Sequence, residues 1–301
     1  MIVSASRRTD IPAFYAEWFL RRVAQGEVLV RNPMRLHQVS RILLRPEAVD
    51  FMALWTKNPA PLLPRLDELA GFDYGFLFTI TGYGPALEPG VPVLADTLRI
   101  FRTLAQRLGP DRMLWRYDPI LFHPQWTAAD HRKNFEVSAR SLAGSTHRCV
   151  ISFLDLYRTG ATALHRAGVT VPDETCIAAL APFLVETADR CGMTVEACAE
   201  PHDLSRFGIR PGHCIDPAFT GVASCAKDRN QRPGCGCQPS VDIGAYHCCP
   251  HRCIYCYANH GEARLAANLR LHDPASPFLL GHALPGDVVS DRMLRGSGSK
   301  T

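Results

Sequence analysis

Short apolar runs alternate with amphipathic stretches through the first two thirds of the chain, a pattern that predicts β/α units built on a parallel sheet. Six runs read as strands: 2–5, 51–55, 74–80, 113–117, 149–154 and 194–199. Between the first two, Asp10 stands where a helix N-cap belongs and Pro12 sits in a first turn. Phe14, Trp18, Phe19 and Val23 share one apolar face before Gly26 stops the helix. Residues 28–30 and 39–44 suggest a small hairpin or a cover on this unit. A Leu-rich helical stretch follows Pro59, a longer helix presents Leu94, Leu98, Phe101 and Leu108, and another carries Leu180 and Phe183.

Polar residues collect at or just past the C-terminal ends of these strands: Ser6, Arg7, Arg8 and Asp10, then Lys57 with Asn58, Arg116 with Asp118, Ser152 with Asp155, and Glu200 with His202. Loops after strands are polar in any α/β protein because they face water, so one such residue says little. Repeated over five strands, the pattern marks the rim where chemistry sits in a parallel barrel or open α/β sheet. The expected fold is therefore α/β, a partial or full β/α barrel of TIM type. Past Glu200 the periodicity fades into a Gly/Pro/Cys-rich segment, and a long structureless stretch in a compact domain needs a reason, of which metal ligation is the obvious one. Residues 1–202 then form the barrel core, 203–240 a Cys-rich insert, and 241–301 complete the same domain with a short strand at 241–246, a helix at 262–271 and a frayed tail from Arg295.

Composition narrows the function little. Hydrophobic residues make up 47% of the 301, enough for a sizeable core, and a net charge of +4 from 33 basic and 29 acidic side chains argues for no nucleic-acid or membrane field. The first residues have the wrong order for a signal peptide, and no run of about 18 apolar residues suggests a membrane span, so a cytoplasmic protein is expected. Twelve cysteines in a reducing compartment are free for metal. None precedes Cys149, and nine fall between Cys198 and Cys256. Cys149 in a strand and Cys176 and Cys191 on a helix read as ordinary core or near-core thiols.

Two thiol groups stand out. Cys249, Cys253 and Cys256, spaced three and two residues apart with Tyr255 before the last, can wrap one loop around one inorganic centre. An iron-sulfur cube of four irons takes four thiolates, so three leave one iron open. Zinc is the competing reading, with His247, Cys248 or His251 as fourth ligand. Iron-sulfur is favoured because a zinc knuckle has no need of a polar-rimmed barrel upstream. In the second group Cys198, Cys214, Cys235 and Cys237, with Cys225 in reserve, suffice for an auxiliary site, either a second iron-sulfur cluster or zinc.

The loop resembles that of the radical S-adenosylmethionine enzymes and, in its Cys-x-Tyr-Cys-Tyr form, is similar to that of spore photoproduct lyase. The resemblance implies a [4Fe-4S] cluster and S-adenosylmethionine as cofactors, a 5'-deoxyadenosyl radical, an electron donor such as flavodoxin or ferredoxin, and a small-molecule or nucleotide-type substrate. The blocks 4–12, 55–59, 115–119, 152–155, 235–237 and 253–259 together resemble the uncharacterised family DUF1848, over nearly the whole length. Radical enzymes of this kind carry the loop after their first strand, whereas here it follows the last. The resemblance therefore implies a circularly permuted barrel in which the strand before the loop lies parallel to residues 2–5. It would place Asp10 near the methionyl amine and Arg7 or Arg8 near the carboxylate, with Asp10 as a plain N-cap the simpler role. Lys57, Asp118 and Glu200 are the candidate catalytic residues, and Ser6, Asn58, Arg116, Ser152 and Asp155 further cofactor contacts. Two rival functions stay open: a zinc-stabilised nucleic-acid-binding protein, and a barrel hydrolase with merely structural clusters.

Overall fold

The computed structural model describes residues 1–155, 161–223, 226–232 and 234–292. Cys225 and the tail from Arg295 lie outside the described residues. The strands are β1 (Ile2–Ala5), β2 (Glu27–Arg31), β3 (Gln38–Leu43), β4 (Phe51–Thr56), β5 (Tyr74–Thr79), β6 (Met113–Ile120), β7 (Arg148–Phe153), β8 (Thr194–Cys198), β9 (Arg210–Gly212), β10 (Val241–Asp242) and β11 (Val288–Asp291). The helices are α1 (Ile11–Phe14), α2 (Ala16–Gln25), α3 (Leu94–Leu108), α4 (Ala128–Leu142), α5 (Ala161–Arg166), α6 (Glu174–Arg190), α7 (Pro217–Thr220) and α8 (Glu262–Arg270).

Eight strands form one parallel sheet in the order β10-β1-β4-β5-β6-β7-β8-β9. The short strand before the cysteine loop does pair in parallel with β1, Val3 opposite Val241 and Ser4 opposite Asp242, though it spans two residues rather than six. The hairpin of β2 and β3 is antiparallel, and β11 joins it to make a separate three-stranded sheet. The Leu-rich stretch after Pro59 forms a 3-10 helix, Leu63–Leu69. Among the described residues no helix is long and apolar enough to cross a membrane.

A closed barrel, one of the two forms expected, does not form: β10 and β9 are free edges of the sheet. The reason lies in the strand pattern. Every residue of β4 is buried, as in a parallel strand covered on both faces. Met52 and Leu54, with Phe76, Phe78, Trp115, Tyr117, Cys149 and Ile151, share one core cluster with the helices. Their neighbours Phe51, Ala53 and Trp55, with Leu77, Leu114, Val150 and Cys198, point the other way and pack with Cys214, Ile215, Phe219, Cys235 and Cys237. The Cys-rich segment thus covers the second face. Phe219 lies so close to Gly75 that a Cβ there would meet its ring at 2.7 Å. That segment also links β9 at one edge to β10 at the other, so chain and side chains, not ladder hydrogen bonds, span the gap.

Candidate functional site

The C-terminal ends of β1, β4, β5, β6, β7 and β8 surround a cavity of about 390 Å³. Its wall includes Ser6, Arg7, Arg8, Asp10, Lys57, Arg116, Asp118, Ser152 and Asp155, so nine of the eleven residues picked from the sequence as catalytic or cofactor contacts meet there. Asn58 and Glu200 do not. The Asn58 side-chain carbonyl accepts from Ala60 N at 3.3 Å in its own turn. Glu200 accepts from Phe153 N at 2.9 Å and His202 N at 3.3 Å, and burial raises its carboxyl above the ordinary value. It braces the β7 and β8 loops from behind.

Trp55, at the end of β4, is the hub of the wall. Arg116 and Arg7 lie over its ring, their guanidinium carbons 4.8 and 5.0 Å from the centroid. Arg116 donates to Thr79 Oγ1 at 3.1 Å and pairs with Asp118, whose other oxygen accepts from Ser152. Asp155 pairs with Arg232 at 2.6 Å, tying the Cys-rich layer to the rim. On the far side Asp242 of β10 accepts from Ser6 Oγ at 2.6 Å, Arg7 N at 2.8 Å and Gly244 N at 2.9 Å. This carboxylate fixes the loop after β1, and strand reading alone gave no signal for it.

Cys249, Cys253 and Cys256 face the same cavity. Their loop is held by groups remote in sequence. Gly90 N donates to His251 O at 2.9 Å, and a Cβ at Gly90 would meet Pro250 O at 2.6 Å. Tyr255 donates its hydroxyl to Glu88, which also accepts from Lys57 Nζ at 2.6 Å and Thr81 Oγ1 at 2.7 Å. Burial works against charge on Glu88, but the Lys57 ammonium and these donors hold its carboxyl below the ordinary range. Tyr257 OH reaches Arg7 O at 2.7 Å. Arg252, just before Cys253, takes a φ of 55°, a conformation disfavoured for residues other than glycine and held here by these contacts.

Cys249, Cys253 and Cys256 line one cavity, yet among the described residues they are not a set whose ligand atoms all lie within 4.8 Å of one another. Burial pushes Cys249 up to about 12 and raises Cys253 and Cys256, with Lys57 acting in the opposite direction on the last two. Such thiols ionise when a cationic centre takes their protons' place. None of the three side chains offered as a fourth zinc ligand is free for it. His251 has Asp10 on Nε2 at 2.8 Å and Gly90 O on Nδ1 at 2.9 Å. Cys248 is buried in the helix-side core, its thiol donating to Ala245 O at 3.2 Å. His247 accepts from His260 N at 3.0 Å and faces Arg264 at 3.4 Å. The donor set is thus three thiols opening on a cavity, which fits a centre that keeps one position for a ligand.

The second group also assembles. The ligand atoms of Cys198, Cys235 and Cys237 lie within 4.8 Å of one another, and Cys214 packs in the same buried cluster. Three of the four expected ligands, Cys198 at the end of β8 and Cys235 and Cys237 on the approach to β10, thus lie together, and Cys214, after β9, lines the same cavity with them and with the first group.

The family model described as Domain of unknown function (DUF1848) matches residues 2–258. No curated protein matches the chain.

Proposed function

The chain belongs to the DUF1848 family, and we propose from its site that it is an iron-sulfur enzyme of the radical S-adenosylmethionine type. The observation that carries this reading is the engagement of His247, Cys248 and His251 elsewhere, which leaves Cys249, Cys253 and Cys256 as three thiols facing a cavity. Cys249, Cys253 and Cys256 would hold a [4Fe-4S] cluster, which when bound and reduced would supply the one electron needed to cleave the sulfonium of S-adenosylmethionine to methionine and a 5'-deoxyadenosyl radical. The parallel pairing of β10 with β1 supports reading the open sheet as a partial barrel, circularly permuted relative to radical enzymes whose loop follows the first strand.

The chain's own residues bind, orient and exclude water. Arg7, Arg8 and Arg116 offer cationic donors to the methionyl carboxylate. Asp118, fixed by Arg116 and Ser152, is the carboxylate placed to accept from an amine or a ribose hydroxyl, with Ser6 and Asp155 farther along the wall. Asp10 already accepts from Ala13 N at 3.0 Å, Lys57 N at 2.6 Å and His251, so it acts as a positioning residue for the loop. Lys57, neutralised by Glu88, keeps Tyr255 and hence the loop in place and presents a proton donor to the cavity. Glu200 and Asn58 act through the loops they brace. The substrate is a small molecule or nucleotide-type compound, and the electron comes from a flavodoxin or ferredoxin in the cytoplasm.

The test is anaerobic reconstitution with iron and sulfide. Wild-type protein is expected to be brown, with at least about four irons per chain and a reduced-state electron paramagnetic resonance signal that changes on adding S-adenosylmethionine. Cys253→Ala is expected to lose that response. A colourless wild-type chain, or a signal indifferent to S-adenosylmethionine, would sink the reading.

A further inference from the structure

We propose that Cys198, Cys214, Cys235 and Cys237 hold a single tetrahedral zinc ion, not a second cluster, and that this ion fixes the layer covering the inner face of the sheet. The inference is independent of the radical chemistry assigned to the other thiol group.

Spacing is the first argument. A zinc–sulfur bond of about 2.3 Å in a tetrahedron sets the sulfurs about 3.8 Å apart. A cube ties each sulfur to a different iron and so spreads them wider. Three of these sulfurs, those of Cys198, Cys235 and Cys237, already lie within 4.8 Å of one another, and Cys214 is buried in the same cluster beside them.

The surroundings are the second argument. Four thiolates on a divalent ion carry two net negative charges, which a buried site must balance. Arg7 faces Cys237 and Cys214, and Arg116 faces Cys214. Around the quartet sit four buried nitrogens with no hydrogen-bond partner: Arg7 Nη2, Arg116 Nε, Trp55 Nε1 and His213 Nδ1. Trp55 is 8% exposed and packs in the same cluster as the four thiols. The His213 ring lies against Gly236, between Cys235 and Cys237, where a Cβ would meet it at 2.1 Å. Buried donors are seldom left unpaired, and metal-bound thiolates are much stronger acceptors than neutral thiols, whose sulfur accepts only weakly. These four are the outer hydrogen-bonding ring of a metal–thiolate centre.

The fold supplies the third argument. Between Cys198 and β10 the described regular structure is one 3-10 turn (Ser205–Phe207), the three residues of β9 and the four of α7. A layer with so little ladder and helix covers Phe51, Leu77 and Leu114, and an ion joining three of its points to Cys198 at the end of β8 supplies the cross-links that a larger core would otherwise provide.

The experiment is metal analysis with zinc-edge X-ray absorption on anaerobically purified, reconstituted protein. Wild type is expected to hold one zinc per chain with four sulfur neighbours at about 2.3 Å. The triple variant Cys249→Ala, Cys253→Ala, Cys256→Ala is expected to lose its iron and keep that zinc. Cys214→Ser is expected to lose the four-sulfur signal, and its wild-type control keeps the result readable if the variant folds poorly. About eight irons and no zinc in wild type, a lone iron in place of zinc, or zinc with nitrogen or oxygen neighbours would overturn the proposal. Absence of iron with zinc retained would leave it standing while removing the radical reading.

Discussion

Asp10 shows how far a residue's place in sequence understates its work. Its expected capping bond to Ala13 N is present, yet the same carboxylate also holds Lys57 N and His251, so three segments of the site meet on it. Residues recognisable by type and position, such as the cysteines, Arg116 and Asp118, were legible in the sequence. Glu88 and Asp242 were not, because their partners are brought to them only by the fold, 31 and 167 residues away for Lys57 and Tyr255 and 236 for Ser6. His131 is another such residue. Fully buried, it sits between the Tyr117 hydroxyl at 2.9 Å and Leu121 O at 2.8 Å, so neutral imidazole donates from Nε2 to the carbonyl and accepts at Nδ1. Burial depresses its pKa to about 4. The unfolded chain, near 6.5, then takes up a proton before the folded one does. His131 thus contributes fully above about pH 6.5, and its contribution falls between there and pH 4 by about 3 kcal/mol, then levels off. Urea unfolding of wild type and His131→Gln across this range checks it: the variant is expected to show the shallower loss. Equal slopes would mean that His131 is not buried in neutral form.

At the scale of elements, the long strands were readable because each is an apolar run covered on both faces, and β1 matches its expected bounds. The short ones were not. β9 is Arg210, Pro211 and Gly212, a triplet without strand character, placed by contact: a Cβ on Gly212 would meet Glu196 Cβ at 2.4 Å. β10 stops after Asp242, and Gly244 beyond it lies where a Cβ would meet Ser6 Oγ at 2.0 Å. The cysteine loop depends on a similar close approach. Gly90 presses on the backbone of Pro250 and His251, which cannot turn aside as a side chain can. Gly90→Ala is expected to displace the loop and reduce iron bound on reconstitution by half or more, while far-ultraviolet circular dichroism stays near that of wild type. Unchanged iron content would show that the loop tolerates the shift.

Across the whole molecule, the near-continuous apolar runs of the strands mark a sheet covered on both faces, and a closed barrel would put the second face in its interior. The Cys-rich segment takes that place instead, which is why the sheet stays open while its strand ends still converge on one cavity. Two thiol groups 12 or more residues apart in sequence share this cavity, because Cys198 ends β8 at the rim and the structure brings both groups to its wall. The side chains that decide between an open and a completed first centre, His247, Cys248 and His251, could not be sorted from sequence, since each has the right chemistry and only its packing removes it.

The central claim is that the three-thiol loop activates S-adenosylmethionine in this cavity. Its most direct test is 5'-deoxyadenosine formation by reconstituted, dithionite-reduced protein given S-adenosylmethionine and no other substrate. The account predicts 5'-deoxyadenosine and methionine from the wild type and neither from Cys253→Ala. A wild-type protein that binds its iron-sulfur cluster fully and yields no 5'-deoxyadenosine would contradict it.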